Sequence, residues 1–110
     1  VAWWGLFVEE TVGSGEDKHW EVELLGHADG TREDALRELE DAALRFKPAK
    51  PFSVRRSRLY RTGDGFLQTN EGMTTTYRCR FSVAETVRDG KDPSVAARYR
   101  GPQDRVPDGS

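Results

Sequence analysis

Cysteine is nearly absent: Cys79 stands alone in 110 residues. One thiol excludes an internal disulfide and a thiolate metal cage. Histidine is scarce too. His19 and His27 are the only two, and neither sits in a motif with a serine, the cysteine or an acid that would suggest a proton relay. Isoleucine is missing, and no apolar run approaches the roughly 20 residues that a helix needs to cross a bilayer. The most apolar stretch, Val1–Val8, has no base before it and two glutamates after it, the reverse of a secretory signal. The expectation is therefore a cytoplasmic chain that does not enter a membrane. The composition that remains is polar, 35% hydrophobic and 33% charged, in a length that suits one core rather than two.

The net charge of −2 conceals an uneven distribution. Residues 1–43 carry 12 acids and 3 bases, whereas residues 44–110 carry 7 acids and 14 bases. Between Arg45 and Arg61 there are 7 bases and no acid. Such asymmetry marks either an anionic partner for the basic half or acidic and basic strands that neutralise each other within one sheet.

Periodicity supplies the elements. Ala2 to Val12 reads as a strand with apolar residues on both parities: Trp4, Leu6 and Val8 on one, Trp3 and Phe7 on the other. Gly13-Ser14-Gly15-Glu16-Asp17 reads as a hairpin loop, since no complete phosphate-cradling glycine motif is present. His19 to Leu25 alternates, which predicts Trp20, Val22 and Leu24 toward the core and His19, Glu21 and Glu23 on a solvated face. Three adjacent alternate residues of a strand stand too far apart to converge on one metal ion. Gly26-His27-Ala28-Asp29-Gly30 is expected to break the strand. A helix follows, with Thr31 as N-cap, Asp34 in the capping-box position, and an apolar stripe of Ala35, Leu36, Leu39, Ala42, Ala43 and Phe46. Glu33–Arg37 and Asp41–Arg45 are expected as supporting pairs on its wet face. Pro48 and Pro51 end it.

The second half reads as strand after strand. Phe52 to Arg61 is irregular, as though bulged near Arg55-Arg56. Thr62-Gly63-Asp64-Gly65 is a tight hairpin turn, with either Gly63-Asp64 or Asp64-Gly65 central in a primed geometry. Phe66 to Thr69 returns, and Asn70-Glu71-Gly72 turns again. Met73 to Val83 then alternates, with Met73, Thr75, Tyr77, Cys79, Phe81 and Val83 inward and Arg78 and Arg80 outward. After Val87 the pattern fails.

These signals predict an α+β domain over 1–87: an antiparallel sheet of four to five strands, in the order β-β-α-β-β-β, with one amphipathic helix on one face. Residues 88–110 are expected as a largely flexible tail. One helix cannot cover both faces of such a sheet. Trp3, Trp4, Phe7 and Leu44 are therefore candidate contacts in a homodimer.

Arg55, Arg56, Arg58, Arg61, Arg78 and Arg80, interleaved with Tyr60, are the candidate anion or nucleic-acid contacts, because arginine forks grip phosphate and aromatics stack on bases. The competing expectation pairs these arginines with Glu21 and Glu23 across the sheet. A sequence pI near 5.7 also weighs against a dedicated nucleic-acid domain. No cofactor, metal site or catalytic residue is indicated. The leading expectation is a non-enzymatic interaction domain that homodimerises and presents an arginine-rich face to a protein partner. Nucleic-acid binding comes second, and a small-ligand carrier or enzyme third. The fragment Leu25-Gly26-His27-Ala28-Asp29-Gly30-Thr31-Arg32-Glu33-Asp34-Ala35-Leu36 resembles the strand–turn–helix entry of HicB-like antitoxin domains. That resemblance implies a small dimeric β-β-α module, although the glycine-punctuated second strand of the family is absent.

Overall fold

Alternating strands and one amphipathic stripe assemble as an α+β fold in a computed structural model that describes residues 2–12, 16, 19–48, 54–73 and 75–99. The strands are β1 (Ala2–Val12), β2 (His19–Gly30), β3 (Arg56–Arg61), β4 (Gly65–Glu71) and β5 (Thr76–Glu85). The helices are α1 (Arg32–Arg45) and the short α2 (Pro93–Arg98). The five strands form one antiparallel sheet in the order β2-β1-β5-β4-β3, so β5 is central while β2 and β3 are the edges. Val1, most of the 13–18 loop, Ala49 to Ser53 with Pro51 and Phe52, Thr74, and Arg100 onward lie outside the described residues.

The helix forms where its caps predict. The Thr31 hydroxyl accepts from the Asp34 N–H at 3.1 Å, and the Asp34 carboxylate accepts from the Thr31 N–H at 3.0 Å, closing the capping box. These bonds hold the Asp34 carboxyl below the usual aspartate range. Arg37 reaches Asp34 at 2.9 Å rather than its expected partner Glu33. Gly30 joins β2 to this cap at φ +120°, and a side chain there would run into the Asp34 carboxylate.

The stripe of α1 packs on one face of the sheet. Ala35, Leu36, Leu39 and Ala43 are buried against Trp4, Leu6 and Val8 of β1, Ala28 of β2, Phe66 of β4, and Cys79, Phe81 and Val83 of β5. Phe46 meets Phe81 edge-on at 5.4 Å between ring centroids. Each fully buried large apolar side chain of this set contributes about 1.5–3 kcal/mol. Trp4 is fully buried, and its indole N–H donates to the Gly30 carbonyl at 3.0 Å. It therefore belongs to the core and is withdrawn from the candidate dimer contacts. A polar line finishes this face beside β3, where the Ser57 hydroxyl donates to Asn70 and the Asn70 amide donates to Gln68.

Four expectations are corrected. First, β2 does not break at Gly26 but continues to Gly30, through a bulge: Leu6 pairs with Gly26 while Phe7 pairs with Leu24, leaving Leu25 as the extra residue. A bulge reverses parity. Trp20, Val22 and Leu24 therefore point away from α1, and His19, Glu21 and Glu23 lie on the helix side. Second, β3 starts only at Arg56 and pairs with β4 residue for residue from Arg56–Glu71 to Arg61–Phe66. The irregularity expected near Arg55-Arg56 is thus confined to the start of the strand, where the Arg55 N–H also donates to the Glu71 carbonyl. Third, the hairpin closes through the Thr62 N–H on the Gly65 carbonyl at 2.9 Å, which puts Gly63-Asp64 at the tip. Gly63 does not take the positive φ that either primed turn would need. Fourth, β5 begins at Thr76 rather than Met73, which is exposed.

The described part of the 88–110 segment is structured. Asp92 caps α2 by accepting from the Ser94 N–H, and Val95 is buried. Arg98 lies 3.8 Å from Asp29, and the Thr86 N–H donates to the Trp3 carbonyl, fastening this stretch to the first hairpin.

Candidate functional site

The face of the sheet opposite α1 gathers the residues with the most chemistry. Pairing defines its rows. Arg58 of β3 and Arg78 of β5 both pair with Thr69 of β4, so the two arginines flank one threonine. With neighbouring strands about 4.8 Å apart, their backbones stand roughly 10 Å from each other. The next row runs Glu9, Arg80, Leu67 and Tyr60 across β1, β5, β4 and β3. On the other side of the first row lie Arg56, Glu71 and Thr76. Arg56, Arg58, Arg78, Arg80 and Tyr60 are all exposed. None of the four arginines makes an ion pair or side-chain hydrogen bond with a described residue.

Topology separates the remaining candidates. Arg61 pairs with Phe66, so it lies on the helix side and lines a shallow cleft with Glu33, Leu36 and Glu40. Arg55 precedes β3, its N–H donating to the Glu71 carbonyl at 2.7 Å, and lines a cleft with Arg56, Glu71 and Met73 at the end of the sheet. The expected neutralisation by Glu21 and Glu23 does not occur. Those acids are on β2, at the far edge from β3, and on the opposite face. Among the described residues, Glu9 opposite Arg80 and Glu71 opposite Arg56 are the acids that neighbour the arginines on their face, and the row of Arg58 and Arg78 has none.

Over β1 and β2 the same face turns apolar. Trp20, Val22 and Leu24 are 52%, 64% and 47% exposed, and they lie in the same rows as Thr11, Glu9 and Phe7. Trp3 stacks on His27 with ring centroids 4.5 Å apart. Phe7, Leu24 and His27, with Val87 and Arg88, border a cleft of about 450 Å³ over Gly5. Trp3 and Phe7 thus sit on the open face, as a contact surface requires, whereas Leu44 projects from the outer side of α1, exposed and separate from them. Alternation alone predicts Trp20, Val22 and Leu24 in the core, whereas the structure exposes them. The doublet Leu24-Leu25 followed by Gly26 is the signal that the alternation slips there.

Chemistry of other kinds finds less support. Burial, and secondarily the charge of Glu10, pushes the Cys79 thiol up to about 12, which removes it as a nucleophile. A second cleft brings His27 near Asp29, Asp34 and Glu38. There the Asp34 carboxylate is engaged by the helix cap and Arg37, His27 is stacked on Trp3, and no hydrogen bond joins the imidazole to a carboxylate. His19 and Glu21 meet at 3.1 Å with both side chains exposed. Among the described residues no group of three or more His, Cys, Asp or Glu is placed to hold a metal ion, and no helix is long and apolar enough to cross a membrane. No protein-family model, curated protein or solved structure matches this chain.

Proposed function

We propose that the protein is a non-enzymatic interaction module whose working surface is the open face of the sheet. The apolar half over β1 and β2 pairs two copies face to face, and the basic half over β3 to β5 meets an anionic partner. The observation that carries this reading is the division of one face, open among the described residues, into two chemistries. Trp20, Val22, Leu24, Phe7 and Trp3 occupy one side, and Arg56, Arg58, Arg78 and Arg80 the other.

A contiguous exposed apolar patch marks a contact surface. A two-fold pair lets one patch complement itself and close. The arginines support a wet or ligand-bound second half. Charge on an edge strand such as β3 is accounted for by protection against aggregation, but Arg78 and Arg80 lie on the central strand, where that explanation fails.

Light scattering over 1–200 µM, chosen to span a Kd of about 10 µM, tests the pairing. The expected result is a dimer that Trp20→Glu converts to a monomer without loss of the fold. A monomer throughout that range overturns the pairing.

A further inference from the structure

We propose that the basic half of the open face binds single-stranded nucleic acid, with Arg56, Arg58, Arg78 and Arg80 on phosphates and Tyr60 as a stacking platform for a base. This rests on the open face being the working surface and names the anionic partner.

The four cations are arginines, whose planar forks match phosphate oxygens in pairs. They project from β3 and β5, the two strands that flank β4, on one face, and the central pair, Arg58 and Arg78, is separated by the small side chain of Thr69. Tyr60 lies two residues along β3 from Arg58, on the same face, 45% exposed, and next to Leu67. An exposed aromatic ring among arginines is the combination that holds an unpaired strand, because each base offers a π-face and each linkage a charge. An acidic peptide would use the guanidinium groups but has no need of the ring.

A duplex fits less well. Its major groove is about 8.5 Å deep and is entered by a helix or a ribbon, whereas this half of the face is built from β3, β4 and β5 lying side by side in one sheet, with α1 packed on its other side.

The acidic net charge does not oppose this. Glu33, Glu38, Glu40 and Asp41 are on α1, behind the sheet, and Glu21 and Glu23 are on the helix side of the far edge. A layer packed on a sheet stands about 10 Å from it, slightly more than the screening length of about 8 Å at physiological salt. The face therefore presents mainly its local charge to a ligand, four arginines against Glu9 and Glu71.

The test is fluorescence anisotropy with the full chain and a labelled mixed-sequence 12-nucleotide single strand, as DNA and as RNA, alongside a duplex of equal length and polyglutamate. The expected result is single-strand binding with a Kd of roughly 1–100 µM. The dependence of log affinity on log salt has a slope of about −0.7 per phosphate, hence about −3 for four arginines. Arg58→Gln with Arg78→Gln should roughly halve that slope, and Tyr60→Ala should weaken binding about tenfold while leaving the slope unchanged. Thr69→Glu, which places an acid between the two arginines without removing either, should abolish binding and serves if the double variant is poorly folded. Melting curves accompany each variant.

Absence of binding at low salt overturns the proposal. So does duplex bound as tightly as single strand with Tyr60→Ala silent, or polyglutamate bound as tightly as the oligonucleotide. Light scattering of the same samples keeps the two claims apart. A monomer that binds refutes the pairing alone, and a dimer that does not bind refutes the ligand alone.

Discussion

Gly65 shows how one atom sets the geometry of the second half of the sheet. It pairs with Ser82, and a Cβ at position 65 would collide with the backbone carbonyl of Phe81, which no rotamer change relieves. Gly65→Ala is expected to cost about 1–3 kcal/mol or more in urea denaturation, because β4 must move away from β5. Gly63, two residues earlier at the hairpin tip, has open space around it and an ordinary φ. Gly63→Ala should therefore be neutral or stabilise by roughly 0.4–1 kcal/mol through the unfolded chain. Cys79 makes the complementary point for chemistry. Its thiol is raised from 9.0 to about 12, first by burial and then by Glu10, so the folded state favours the protonated form. The stability this contributes is fully present below pH 9 and is lost as pH rises toward 12. A thiol reagent at pH 8 should leave Cys79 unmodified in the native protein and label it promptly in urea. Equal labelling rates would contradict its burial.

At the scale of elements, the two edge strands decide how copies can meet. If β2 paired with its counterpart in a second copy about Val22, Trp20 would face Leu24 and Glu21 would face Glu23, like charges directly opposed. The glutamates thus guard the edge while leaving the apolar side of the same strand free to pack face to face. Glu21→Thr with Glu23→Thr should convert a defined dimer into concentration-dependent higher assemblies, followed by light scattering and thioflavin fluorescence. A variant that stays dimeric would show that the edge is guarded by something else. Arg56, Arg58 and Arg61 protect β3 in the same manner. That leaves Arg78 and Arg80 of β5 as the residues whose exposure calls for another reason.

Over the whole molecule, the topology distributes charge that the chain order only segregates. The acids of the first half go mainly to α1 and to the helix side of β2, and four arginines of the second half, Arg56, Arg58, Arg78 and Arg80, go to the opposite face. The acidic and basic segments therefore lie back to back instead of cancelling. Arg32 spans the layers, donating from the start of α1 to the Gly63 carbonyl at the hairpin tip at 2.9 Å, and so couples the first half of the chain to the second. The proposed pairing and ligand surfaces share a face but few residues. Trp20→Glu should dissolve the dimer while each copy keeps its salt slope for oligonucleotide, and any loss of affinity should be limited to avidity.

Local patterning in the sequence was sufficient for the elements whose signals are short-range. These are the capping box at Thr31 and Asp34, the stripe from Ala35 to Phe46, the alternation of Tyr77, Cys79, Phe81 and Val83, and the common face of Arg56, Arg58 and Tyr60. Capping and periodicity are read within a turn or a few residues, so they survive without knowledge of neighbours. The tertiary structure alone decided which face each pattern serves. The bulge at Leu25 exists because β1 and β2 must pair across a register shift, and it sent Trp20, Val22 and Leu24 outward and Glu21 and Glu23 inward. Strand order likewise separated those glutamates from Arg56 and Arg58 by the width of the sheet, and from Arg78 and Arg80 by the intervening β1. Parity is a property of one strand, but facing and adjacency belong to pairs of strands, and only the assembled hydrogen-bond register assigns them.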